Sequence, residues 1–206
     1  MIHITLLGYG TVGKSIYKLL NDKKNEIEKL INNEYTIDKI LVKTIDKYKS
    51  DDVFNLITDN INEVLSDENI DVLFDATNAT AEIIKPILNS ISNGKHFISA
   101  NKALVSRYMV ELVECSDKSG SKFKYEASVA AAIPVLSAIK NISTLNTVTS
   151  IDAVLNGTCN YILSKMEEGL SYEDALLQAQ KIGFAEADPS ADVDGFDTLR
   201  KLRILT

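Results

Sequence analysis

A chain of 206 residues, 45% hydrophobic and 25% charged, has an ordinary globular composition and room for one large domain or two small ones. Its net charge of −7 argues against nonspecific binding to nucleic acid or to an anionic membrane, both of which favour basic surfaces. The N-terminal MIHITLLGYG lacks the basic start of a signal peptide, no stretch approaches the about 20 apolar residues of a membrane span, and two distant cysteines, Cys115 and Cys159, suit free thiols in a reducing cytoplasm.

The run at 2–7, IHITLL, is short, apolar and β-rich, which predicts a buried parallel strand. Gly8-Tyr9-Gly10-Thr11-Val12-Gly13 follows at once, and Val12, Ile16, Leu19, Leu20 and Ile27 then recur at helical spacing. Strand, glycine turn and helix in this order make the phosphate-binding start of a dinucleotide fold. Gly8 would allow the tight turn, Gly10 the approach of a pyrophosphate, and Gly13 close packing of helix on strand. Backbone N–H groups at the helix start, Thr11 and Val12 among them, would hold the phosphate oxygens. A glycine turn with no ligand is the plainer alternative.

A second strand is expected at 37–42, followed by Lys43 and Thr44 where an NAD-specific fold would carry an acidic residue. Lys43 is either a cation for the 2′-phosphate of NADP or a plain surface lysine. After a polar stretch with a short helix at 61–65, strands are expected at 71–75 and 95–99, with a helix at 81–93 between them. Thr77 and Asn78 sit beyond the first of these strands, where they would face the ligand crevice or cap the helix. Lys102 holds the equivalent place after the second. A helix at 108–116 and a strand at 122–125 complete this half, giving an α/β, Rossmann-like, mostly parallel sheet.

The small-residue run from Glu126 to Pro134 is the expected boundary, dividing 1–128 from 129–206. Beyond it we expect a helix to about residue 141, a strand at 148–155, helices after Asn156-Gly157 and after Ser171, and a last helix from Gly195: an incomplete α+β domain. Between Gly183 and Lys201 stand Glu186, Asp188, Asp192, Asp194 and Asp197, five carboxylates within twelve residues. Crowding of that kind is costly unless a cation binds. Asp197 and Lys201, four apart, share one helix face, so a carboxylate and an ammonium would project together as a proton-exchanging pair. A solvated acidic loop with a surface ion pair is the bland alternative.

GYGTVG at 8–13, SANKAL at 99–104, YEASV at 125–129 with IP at 133–134, LNGTCNYIL at 155–163 and GFAEADPSADVDGFDTLRKL at 183–202 together make the chain resemble homoserine dehydrogenase over most of its length. The resemblance implies an oxidoreductase that interconverts L-homoserine and L-aspartate 4-semialdehyde with NADP or NAD, in the route to threonine, methionine and isoleucine. Residues 1–128 would be its NAD(P)-binding domain and 129–206 part of its substrate domain. It implies Gly8, Gly10 and Gly13 at the pyrophosphate, and Thr77, Asn78 and Lys102 near the nicotinamide. Glu186 and Asp192 would bind homoserine, Asp197 would hold the reacting hydroxyl, and Lys201 would donate the proton. It further implies a monovalent cation such as Na+ on the Glu126 side chain and the carbonyls of Val129, Ala131 and Ile133, a cytoplasmic location, and a homodimer in the full-length form.

Three departures stand out. Ala130, Ala131 and Ala132 occupy a stretch where the family usually carries glycines, Cys159 replaces a threonine, and the chain stops about 100 residues or more before the family does. The last point makes a carboxyl-terminally truncated, inactive nucleotide-binding module the main alternative. A reductase acting on dihydrodipicolinate is disfavoured, because the acidic block would repel a dianion.

Overall fold

In the first half of the chain, short apolar strands alternate with amphipathic helices, and a parallel sheet is what that alternation builds. The computed structural model describes all 206 residues, which divide into a unit of Met1–Ser128 and a unit of Val129–Thr206. The first unit runs β1 (Ile2–Leu7), α1 (Thr11–Asp22), α2 (Lys24–Ile31), β2 (Tyr35–Leu41), β3 (Ile57–Thr58), α3 (Ile61–Leu65), β4 (Val72–Asp75), α4 (Ile84–Ser92), β5 (His96–Ser99), α5 (Lys102–Ser119) and β6 (Phe123–Lys124). All five strand pairings are parallel, in the order β3-β2-β1-β4-β5-β6. Chain direction across the sheet reverses between β1 and β4, the crevice where such sheets take their ligands.

Both faces of the sheet are covered. Leu7, Leu73 and Phe97 lie in one core with Ile87 and Ile91 of α4 and Leu104 and Leu112 of α5. Ile4, Leu6 and Ile40 lie in the other with Leu20 of α1. Adjacent Leu6 and Leu7 therefore enter opposite cores, as the two-residue period of a strand requires. Each such fully buried side chain is worth roughly 1.5–3 kcal/mol over exposure.

Several boundaries differ from those read in the sequence. The first helix breaks at Lys23, which places Ile27 on α2. The expected helix at 108–116 is the middle of α5, which begins at Lys102 because the Asn101 side chain caps the Leu104 N–H at 3.1 Å, and which kinks at Tyr108. Helix α4 starts at Ile84 with Ile83 as its cap residue, so Thr77 and Asn78 do not cap it.

The second unit is helical: α6 (Val135–Ser143), α7 (Gly157–Glu167), α8 (Tyr172–Lys181), α9 (Ser190–Val193) and α10 (Phe196–Leu205). The strand expected at 148–155 does not form. Its Val, Thr and Ile residues favour extended backbone, but this unit contains no strand to pair with, and an unpaired strand leaves its N–H and C=O groups without partners. The β component expected of this domain is thus absent. Its core is built on α7 and α8, where Ile162 packs with the fully buried Ala175 and Ala179 and with Ala185. Ser171 caps α8 through the Asp174 N–H at 3.1 Å. No helix of the chain is long and apolar enough to cross a membrane.

Candidate functional site

The glycine turn comes first. Gly8 has φ +96°, and a Cβ there would lie 2.7 Å from the Ala76 carbonyl oxygen, so the position excludes side chains on two counts. A Cβ on Gly13 would lie 2.1 Å from the Gly8 carbonyl oxygen, whereas one on Gly10 would meet nothing within 4 Å. The first and third glycines are thus required by packing. The second opens free space beside the start of α1, whose cap residue is Gly10 itself and which has no side-chain cap. Thr11 and Val12 are exposed at that helix start. Uncapped N–H groups at the positive end of a twelve-residue helix, bordered by a glycine with open space, fit a pyrophosphate.

Asp75, at the end of β4 and 1% exposed, organises the neighbouring strand ends. Its Oδ1 accepts the Thr77 N–H at 2.9 Å and the Thr77 hydroxyl at 2.7 Å, and its Oδ2 accepts the Ser99 hydroxyl at 2.9 Å. Burial pushes its carboxyl above the ordinary 3.8, against hydrogen bonds from Thr77, Ser99 and Asn101 that pull the other way. The Asn101 amide donates to the Ala79 carbonyl at 2.6 Å and to the Thr77 hydroxyl at 3.3 Å. Thr77 also lies beside the glycine turn, its Cγ2 3.2 Å from where a Gly8 Cβ would stand. The structure therefore brings Gly8 and Thr77 together and ties them through Asn101 to Lys102, the half-buried first residue of α5. Asn78 and Lys43 are exposed. Lys43 contributes to holding the Glu82 carboxyl below its ordinary value, after the larger effect of the backbone N–H groups of Glu82 and Thr80.

In the second unit, the side chains of four residues converge. Asp197 and Lys201 form an ion pair of 2.7 Å along α10, with side chains only 11% and 19% exposed. This is no surface pair of the bland kind. The Lys201 ammonium also donates to the Leu155 carbonyl at 2.5 Å. The Asn156 amide nitrogen donates to Asp197 Oδ2 at 2.9 Å and to Asp192 Oδ1 at 2.7 Å, while its oxygen caps α7 by accepting the Cys159 N–H at 2.7 Å. The Cys159 thiol is pushed up by burial, then by Asp192 and Asp197, and donates to the Asp192 carbonyl at 3.2 Å. Glu186 has an exposed side chain, and its backbone carbonyl accepts from the Gln180 amide at 3.0 Å. An open cavity of about 490 Å³ in this unit is lined by the 146–151 segment, Ile139, Leu202 and Leu205, and by none of these charged groups.

Of the residues expected to hold a cation, Glu126 begins a single 3-10 turn and is half-buried, Val129 is buried, and Ala131 and Ile133 are exposed. The Ile133 carbonyl accepts the Val135 N–H at 2.8 Å. No group of three or more His, Cys, Asp or Glu side chains is placed to hold a metal. Sequence patterns do not single out Asp75, Asn101 or Asn156 as site residues. The two asparagines carry one available signal, a helix-capping residue type just ahead of a helix.

Residues 8–126 match the family model described as homoserine dehydrogenase, NAD binding domain, and residues 134–206 match the model for homoserine dehydrogenase. Homoserine dehydrogenase of Bacillus subtilis is 34% identical over 206 residues, covering 99% of this chain and 48% of the relative. That of Methanocaldococcus jannaschii is 36% identical, covering 98% of this chain and 67% of the relative. The crystal structure of a homoserine dehydrogenase from Thiobacillus denitrificans superposes with a TM-score of 0.90 at 34% identity, over 99% of this chain and 48% of that one. The chain thus spans about half the length of the bacterial relatives it matches.

Proposed function

The chain belongs to the homoserine dehydrogenase family, and on that premise we propose that it interconverts L-homoserine and L-aspartate 4-semialdehyde by hydride transfer with NADP or NAD, in threonine, methionine and isoleucine biosynthesis. The observation that carries the reading is the half-buried ammonium of Lys201, held by Asp197 and the Leu155 carbonyl. An ammonium has three donors, and two are accounted for, which leaves one for a substrate oxygen. A nicotinamide, when bound, supplies the hydride to the aldehyde carbon or accepts it from the alcohol. The oxygen that gains charge during reduction needs a cation and a proton, and Lys201 provides both. In the oxidative direction Asp197 holds the hydroxyl while Lys201, entering the step as the neutral amine that reduction leaves behind, takes its proton and returns to the ammonium. Asp192 and the exposed Glu186 receive the substrate, Glu186 its ammonium.

On the cofactor side, Gly8, Gly10 and Gly13 with the N–H groups of Thr11 and Val12 hold the pyrophosphate. Thr77, Asn78 and Lys102 serve the nicotinamide end, and Lys43 favours NADP by meeting its 2′-phosphate. Glu126 with the carbonyls of Val129, Ala131 and Ile133 is the place for a monovalent cation such as Na+. A homodimer of the full-length form and a cytoplasmic location belong to the same reading. The test is direct: titrate the purified chain with NADPH and NADH by fluorescence, then follow NADP reduction at 340 nm with L-homoserine. Binding with turnover supports the proposal. Binding without turnover favours an inactive nucleotide-binding module, and no binding removes the cofactor assignment.

A further inference from the structure

Asn156 is the neutral member of the charged cluster, and every polar atom of its side chain is committed. Its oxygen takes the Cys159 N–H, and its nitrogen serves Asp192 and Asp197. The amide orientation follows from these partners. Turned over, it would set its NH2 against a backbone N–H and its oxygen against two carboxylates. At 6% exposure, water is not available to take its place. Capping alone does not explain an asparagine here, because serine or aspartate caps as well. Of these, asparagine alone adds two N–H donors to the capping oxygen. Those donors stand between two carboxylates that share one nitrogen and would otherwise repel each other.

The neighbouring carbonyl completes the arrangement. Leu155 accepts from Lys201 while Asn156 donates to the carboxylate paired with that lysine. Two adjacent residues at the start of α7 thus hold both ends of the Asp197–Lys201 pair on α10. We propose that Asn156 is a positioning residue: its amide bridges Asp192 and Asp197 and so sets where the Lys201 ammonium stands. Its consequence for catalysis rests on the function proposed above, whereas the bridge itself stands on the geometry alone. The titratable groups facing the amide are Asp192 from α9, Asp197 and Lys201 from α10, and the Cys159 thiol from its own helix.

The test separates bridge from cap by using variants that keep the cap. In the full chain, carboxyl 13C resonances of Asp192 and Asp197 are titrated in the wild type, in Asn156→Ser and in Asn156→Asp. The bridge predicts that Asn156→Asp raises at least one of the two midpoints by about a unit or more, since three acids then share one site. It predicts a smaller rise in Asn156→Ser, and return of the Asp197 midpoint toward the wild-type value in Asn156→Asp/Asp192→Asn. Unchanged midpoints in the single variants would overturn it. Asn156→Ser adds no charge and keeps the readout available should Asn156→Asp fail to fold. The titration needs no substrate, so a chain that never binds L-homoserine defeats the proposed reaction while the midpoints still decide for or against the bridge. Where homoserine does bind, calorimetry should show its affinity falling about tenfold in Asn156→Ser, because Asp192 and Asp197 are no longer held in place by the bridging amide.

Discussion

Gly13 stands so close to Gly8 that a single added Cβ would lie 2.1 Å from the Gly8 carbonyl oxygen, inside any permitted contact. The turn and the helix that follows are therefore locked together by the absence of side chains. Gly10, between them, has no such neighbour. The three glycines separate into two kinds, and the separation is measurable. Gly13→Ala should destabilise the first unit by about 1–3 kcal/mol, the usual cost of overpacking. Gly10→Ala should leave the unfolding midpoint within about 0.5 kcal/mol of wild type, the range of an uncrowded surface change. It should nonetheless weaken NADPH binding if, as proposed, that open space takes the phosphate, because the methyl would fill it. Denaturant unfolding and fluorescence titration, run side by side, check both halves. A Gly10→Ala chain that binds NADPH normally would falsify the assignment of that space.

Ala130 and Ala132 have φ of +49° and +69°, in the left-handed region that L-residues other than glycine enter at a cost. That cost is about 1–2 kcal/mol per residue. Both side chains are exposed, so they return little packing energy. Replacement by glycine relieves the strain but adds about 0.5–1 kcal/mol of unfolded-chain entropy. The net expectation is a stabilisation of about 0.5–1 kcal/mol for Ala130→Gly and for Ala132→Gly. A chemical unfolding midpoint that moves down in either variant would show that the methyl groups make contacts worth more than the strain.

Asp75 makes stability depend on pH in a direction opposite to that of most carboxylates. Its folded-state value is raised, so the folded chain binds this proton more tightly than the unfolded chain does. The contribution is complete below the ordinary 3.8 and is lost as pH rises through the raised value. Asp75→Asn removes the titration. The asparagine oxygen can still accept from Thr77, and its NH2 can donate to the Ser99 hydroxyl. Relative to wild type, the variant's thermal midpoint should therefore climb as pH rises from 3.8, and then level off. A difference that stays flat across this window would mean that Asp75 titrates at its ordinary place.

What can be read from the sequence, and what cannot, divides along the range of the interactions. The glycine turn is legible because its steric demand is local: Gly8 and Gly13 are five residues apart and touch. The Asp197–Lys201 pair is legible because one helix turn brings i and i+4 together. Asn156 is not legible as a site residue, because its partners lie 36 and 41 residues away, on helices whose approach no local pattern encodes. Asp75 reads only as the end of a strand, since its network needs β5 beside β4 to supply Ser99. The segment at 148–155 fails in the opposite sense. Its residues have the right local preference, and the tertiary partner that would make a strand of them is missing from the unit.

Lys201 gives the sharpest test of the chemistry. Its ammonium has two acceptors in the folded chain, the Asp197 carboxylate at 2.7 Å and the Leu155 carbonyl at 2.5 Å. Lys201→Met keeps the apolar stem and the length of the side chain while removing charge and proton together. If Lys201 finishes the reduction, turnover should fall by about 10²–10⁴-fold, the span of general acid–base contributions. Affinity for NADPH should hold, because the glycine turn is untouched. Loss of the cation also takes the ammonium from the buried Asp197 carboxylate while the Asn156 amide still donates to it, so a drop in unfolding free energy should accompany the loss of rate. Lys201→Met/Asp197→Asn removes the buried negative charge and should recover part of that stability without recovering turnover. Stopped-flow rates and unfolding curves on the two variants separate the roles. A Lys201→Met chain that reduces the semialdehyde at more than a tenth of the wild-type rate would place the proton donor elsewhere.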